Sequence, residues 1–166
     1  MSHLDQRVTV TCPLAQAAMR LRDFFRETRN SAAETAKLTI GLDVDISGRL
    51  APLRLQQEIV ATIQSHHLPA DMTPRYRVVW APQTPGWLPL FEGELVVDGN
   101  SDFDSFGLRL SGSYTPPFGL FGKGFDVAVG NRVAEATAKD LLERVKHSIE
   151  GAFANDEARK PLAART

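Results

Sequence analysis

The sequence has little of what usually announces a chemistry. There is one cysteine, Cys12, in 166 residues, so no internal disulfide can form. No window approaches the run of about eighteen apolar residues that a membrane span requires. Neither sign of charge dominates: 19 basic and 20 acidic residues leave a net charge of −1, and the two signs interleave, which offers no basic footprint for nucleic acid. The opening MSHLDQRVTV lacks the charged-then-apolar layout of a secretion signal. With the lone thiol, this points to a cytoplasmic protein. The hydrophobic content of 43% and charged content of 23% suit a chain that buries a core without staples. The length fits one domain, placed at residues 6–154 with a flexible tail at 155–166.

Several short patterns come close to a chemical motif and fall short of it. GLFGKG, Gly119–Gly124, is G-x-x-G-x-G, which lacks both the dinucleotide spacing and the P-loop ending. His66 and His67 are adjacent, and neighbours on a strand or loop point apart. His3 and His147 show no ligand spacing, so neither a metal nor a cofactor is expected. Cys12 lacks a basic neighbour in sequence and reads as a buried structural thiol. Arg20, Arg22, Arg26 and Arg29 read as a solvated helix face. Asp43 with Asp45, and Glu92 with Glu94, share strand faces and have the groups for acid–base work. Each pair lies opposite an apolar set, which makes a solvated sheet exterior the simpler reading.

What the chain does have is periodicity. QRVTVTC, Gln6–Cys12, alternates as a strand. Pro13 then fits a helix start, and Leu14, Ala17, Leu21, Phe24 and Phe25 recur at helical spacing to about Thr28. The polar RNSAAETAK is a loop or a short second helix capped at Ser31, with Glu34 three residues on. Five strand patterns follow. Leu38, Ile40, Leu42, Val44 and Ile46 share a face, as do Leu53, Leu55, Ile59 and Ile63. A loop, SHHLPADMTP, leads to Tyr76, Val78 and Trp80. Phe91, Leu95 and Val97 come next, then Phe106, Leu108, Leu110 and Tyr114. After a corner, GSYTPPFGLFGKGFD, an apolar stripe of Val127, Ala134, Ala138, Leu141, Val145 and Ile149 makes one helix from Gly124 to Phe153. Consecutive strands with short turns form an antiparallel meander. Its apolar face needs a cover, which the long helix supplies. The fold class is α+β.

Three polar residues fall on the apolar faces. Gln57 lies between Leu55 and Ile59, Tyr114 ends the last strand, and Asn131 sits on the helix stripe. Buried polar groups need partners, which a ligand, a trapped water or one another can supply.

This layout resembles the START-like superfamily, also called SRPBCC or helix-grip, from Val8 to Phe153. The opening VTVTCPLAQAAMRLRDF looks like that family's strand–Pro–helix start, and LRLSGSYTPPFGLFGKGFD like its approach to the terminal helix. The resemblance implies a curved antiparallel sheet wrapped around the long C-terminal helix, with one or two short helices after the first strand. It also implies a cavity for a hydrophobic molecule, with Tyr76, Trp80 and Phe91 as its walls and Phe118, Leu120 and Phe121 as a lip. As core aromatics these residues need no ligand. Three functions remain open. One is binding of an apolar or amphipathic small molecule, with Gln57, Tyr114 and Asn131 giving specificity. Another is a cyclase or dehydratase of polyketide-like substrates, with Tyr114 as proton donor. The third is a protein-interaction module with a filled core. Fold alone does not choose among them.

Overall fold

The computed structural model describes residues 2–27, 35–44, 53–66, 74–82, 90–99, 103–115 and 127–160, and for 35–44, 53–66, 82 and 127–130 it describes the backbone alone. The elements run β1 (Ser2–Val10), a 3-10 turn (Leu14–Gln16), α1 (Ala17–Glu27), β2 (Thr35–Val44), β3 (Leu53–His66), β4 (Arg75–Pro82), β5 (Leu90–Gly99), β6 (Phe106–Thr115) and α2 (Val127–Arg159). All six strands form one antiparallel sheet in the order β1-β6-β5-β4-β3-β2. The five-strand meander is as the alternation predicts, and β1 closes onto its last strand.

With neighbouring strands about 4.8 Å apart, the two edges of a flat six-stranded sheet would lie about 24 Å apart. Yet α2 packs on both edge strands, β1 and β2, more than on the central strands β3, β4 and β5 between them, and it also packs on β6 and α1. The sheet therefore curves around the helix, giving the α+β grip that the order of elements implies. Leu4 and Val10 from β1, Val78 and Trp80 from β4, Phe91, Leu95 and Val97 from β5, and Phe106, Leu108, Leu110 and Tyr114 from β6 are buried on its concave side. Leu141, Leu142, Val145 and Ile149 of α2 belong to the same core. The outward positions carry charge: Arg109 grips Asp5 through two hydrogen bonds of 2.8 and 2.5 Å, Arg75 lies 3.9 Å from Glu94, and Arg77 pairs with Glu92. The exterior reading of Glu92 and Glu94 holds. Asp43 is placed in β2 by its backbone, and Asp45 lies outside the described residues.

Several boundaries differ from the sequence reading. β1 begins at Ser2 and ends at Val10. Its first residues read as polar because only Leu4 among them faces the core, and long-range pairing with β6 supplies what local propensity lacks. The chain turns after Val10, where the Cys12 N–H bonds the Val10 carbonyl at 3.1 Å. His66 is the last residue of β3, opposite Arg75, and not part of a loop. α2 continues past Phe153 to Arg159, a length of about 50 Å at 1.5 Å per residue. The tail proposed from residue 155 is thus helical over its first residues, anchored by an Arg20–Asp156 ion pair at 2.7 Å. Arg20 is accordingly no solvated helix-face residue: its side chain is only 10% exposed, and Gln16 holds it at 3.2 and 3.0 Å. Arg22 and Arg26 are exposed, as the helix pattern predicts. The possible second helix at Ser31 and the corner from Pro116 to Asp126 lie outside the described residues.

Candidate functional site

Strand register brings the candidate aromatics into one row. Trp80 faces Phe91, and Phe91 faces Tyr114, across β4, β5 and β6. Alternation along each strand points all three to the concave side, where they are at most 2% exposed. The Trp80 and Phe91 rings stack, with centroids 4.0 Å apart and planes 16° from parallel. Tyr76 lies further along β4 on the same face, and its ring meets Phe25 of α1 at 5.0 Å. Burial pushes its hydroxyl pKa up, against a smaller attraction from Arg22.

The polar end of the row is Tyr114. Its hydroxyl donates to the Asn131 side-chain carbonyl on the first turns of α2. Two of the three polar residues picked from the apolar faces therefore meet each other, and the bond ties the end of β6 to the start of the helix. Of Gln57 the structure describes the backbone alone. Its backbone shares strand parity with Ala61, the partner of Trp80, so it takes a register position on the same face. Phe118 and Phe121 lie outside the described residues.

Sequence reasoning missed two parts of this site. Thr137 is fully buried on α2, and its hydroxyl donates back to the Val133 carbonyl at 2.8 Å. Such a back-bond removes the need for a partner in the core. The second part is a pair of facing glycines, Gly93 and Gly112, on the row next to the aromatics. A Cβ at Gly93 would fall 2.3 Å from the Ser111 carbonyl oxygen and 2.5 Å from Phe91 Cζ. One at Gly112 would fall 2.4 Å from the Glu92 carbonyl oxygen and 2.9 Å from Phe91 Cζ. Both lie at inward positions of an alternating pattern, which was the available signal: a glycine inside a strand marks a bend or a close approach.

The chemistry on offer is limited. Among the described residues no group of three or more His, Cys, Asp or Glu side chains could hold a metal, and no helix is long and apolar enough to cross a membrane. Cys12 is buried. Burial pushes its thiol up from the ordinary 9.0, outweighing attraction from the Arg20 that folding brings near. It is not an activated nucleophile.

No protein-family model and no curated protein matches the sequence. Solved structures do. A conserved protein from Geobacillus kaustophilus is similar at a TM-score of 0.54 and 12% identity, over 91% of this chain and 97% of that one. An uncharacterised protein from Bacillus thuringiensis follows at 0.52 and 11%, over 92% and 99%. They share the fold described above, one curved antiparallel sheet gripping a long C-terminal helix. A START superfamily protein from Mycobacterium smegmatis is also similar, at a TM-score of 0.42 and 14% identity over 92% and 97% of the two chains, a distance at which no site detail transfers. These likenesses concern the fold, and the function has to be argued from the site.

Proposed function

We propose that this START-like protein binds an apolar or amphipathic small molecule between the concave face of the sheet and α2. The observation that carries the reading is the Tyr114–Asn131 pair: two hydrogen-bonding side chains at one end of an aromatic row, on a sheet face whose other fully buried side chains are apolar among the described residues. Apolar walls with a few convergent polar groups are the usual make-up of a small-molecule site. Trp80, Phe91 and Tyr76 supply contact area. Tyr114, Asn131 and, by its position on the same face, Gln57 supply orientation. Phe118 and Phe121 are the proposed lip. A cyclase-type reaction would need Tyr114 as a proton donor, but its hydroxyl proton is engaged by Asn131. That favours binding over catalysis.

Native mass spectrometry of the purified protein tests the reading, together with denaturing extraction and a thermal-shift screen of fatty acids, sterols and polycyclic aromatics. A co-purified apolar molecule, or a melting shift that disappears in Asn131→Leu, is the expected result. A clean protein mass with no shift across the library would sink the proposal.

A further inference from the structure

The row beside Trp80, Phe91 and Tyr114 lacks side chains at its centre. In register it reads Val78, Gly93, Gly112, so two facing glycines leave a hollow in the concave face. Phe91 fills that hollow. Its Cζ comes within 2.5 Å of where Gly93 would carry a Cβ and 2.9 Å of the same point on Gly112. The ring therefore leans down along its own strand instead of standing toward α2, and Trp80 stacks against it in that position. Across from the sheet, the early turns of α2 contribute small buried residues, Ala134, Thr137 and Ala138. A low floor thus faces a helix surface of small side chains.

The geometry points to Phe91, seated in the Gly93–Gly112 hollow, as the residue that sets the size limit of the ligand. The assignment rests on the ligand-binding reading above. A side chain that cannot lie in the hollow stands into the space below α2 and shortens it. A side chain smaller than the ring leaves part of the hollow open and lengthens it. The glycines themselves make poor test sites, because an added methyl meets backbone oxygens as well as the ring. Phe91 carries the test.

The experiment measures binding of straight-chain fatty acids, from octanoate to stearate, to the whole protein by native mass spectrometry and by displacement of anilinonaphthalene sulfonate. Wild type, Phe91→Leu and Phe91→Trp are compared after circular dichroism confirms folding. The wild type should accept chains up to a limit. Phe91→Leu should raise that limit, with a gain of about tenfold for the first acid beyond it, the effect of burying about two more methylene groups. Phe91→Trp should lower it. An unchanged limit in folded variants overturns the assignment and leaves ligand binding intact. A wild type that takes none of the acids and nothing from the wider screen removes the binding reading itself. The two substitutions push in opposite directions, so a variant that fails to fold leaves the other to decide.

Discussion

The two ends of α2 are held differently. From Leu141 onward, Leu141, Leu142, Val145 and Ile149 are each at most 2% exposed. Glu150 accepts the Thr11 backbone N–H at 2.7 Å, and Asp156 pairs with Arg20 from α1. Before Leu141 the described core residues are smaller, Val133, Ala134, Thr137 and Ala138, and the described side-chain tie to the sheet is the Tyr114–Asn131 bond. Large aliphatic side chains bring surfaces into contact and stabilise by the area they remove from water. Small ones with a polar clasp fix orientation while leaving space. The later turns are organised for stability, and the earlier ones carry the proposed site.

The strongest way to break this contrast is to empty the firm end. Leu142→Ala should cost about 3 kcal/mol, the transfer free energy plus the cavity left behind, read by urea denaturation. Loosening the other end should cost less and show elsewhere. Tyr114→Phe should cost about 1 kcal/mol, the net value of one hydrogen bond, with a larger relative loss in ligand affinity than in stability. If Tyr114→Phe destabilises as much as Leu142→Ala, the clasp is a core element and the division of labour is wrong.

Much of this was legible in the sequence. Period-two alternation placed Tyr76, Trp80, Phe91 and Tyr114 on inward faces, because a half-buried strand writes its burial into every second residue. Helical spacing placed Ala134, Ala138, Leu141 and Ile149 in the same way. Pairing was harder to see. That Tyr114 would meet Asn131 follows from β6 and α2 crossing at that point, which no local pattern encodes. Gly93 and Gly112 are 19 residues apart, and only the β5–β6 register sets them face to face. The true start of β1 was hidden because an edge strand pairs on one side, and its outward residues, His3, Asp5 and Arg7, look like loop. Arg20 looked solvated because its partner, Asp156, lies beyond the expected end of the helix.

A gentler probe of the firm end is Asp156→Asn. The Asp156 carboxylate is half exposed, and exposed ion pairs are worth about 0.5 kcal/mol. The melting temperature should fall slightly, and more in low salt than in high. A loss comparable to that of Leu142→Ala would mean that the ion pair, more than the aliphatic packing, fixes this end.

The smallest expected effect lies on the convex face, away from both ends of the helix. The Arg109 guanidinium, hydrogen-bonded to Asp5, holds that carboxyl below the ordinary 3.8. A depressed value in the folded state means that the unfolded chain takes up the proton more readily. The pair's contribution is thus fully present above the ordinary carboxylate value and is lost as pH falls through the folded one. Urea denaturation repeated at stepped pH should show a shallower acid slope for Asp5→Asn than for wild type, confined to the region from about pH 5 downward. Ligand binding at neutral pH should be unchanged, because Asp5 faces outward on β1 while the proposed site lies on the other side of the sheet. If Asp5→Asn altered binding as Tyr114→Phe does, the convex charges would be coupled to the concave site, and the contrast would have to be drawn between sheet edges instead of between the ends of the helix.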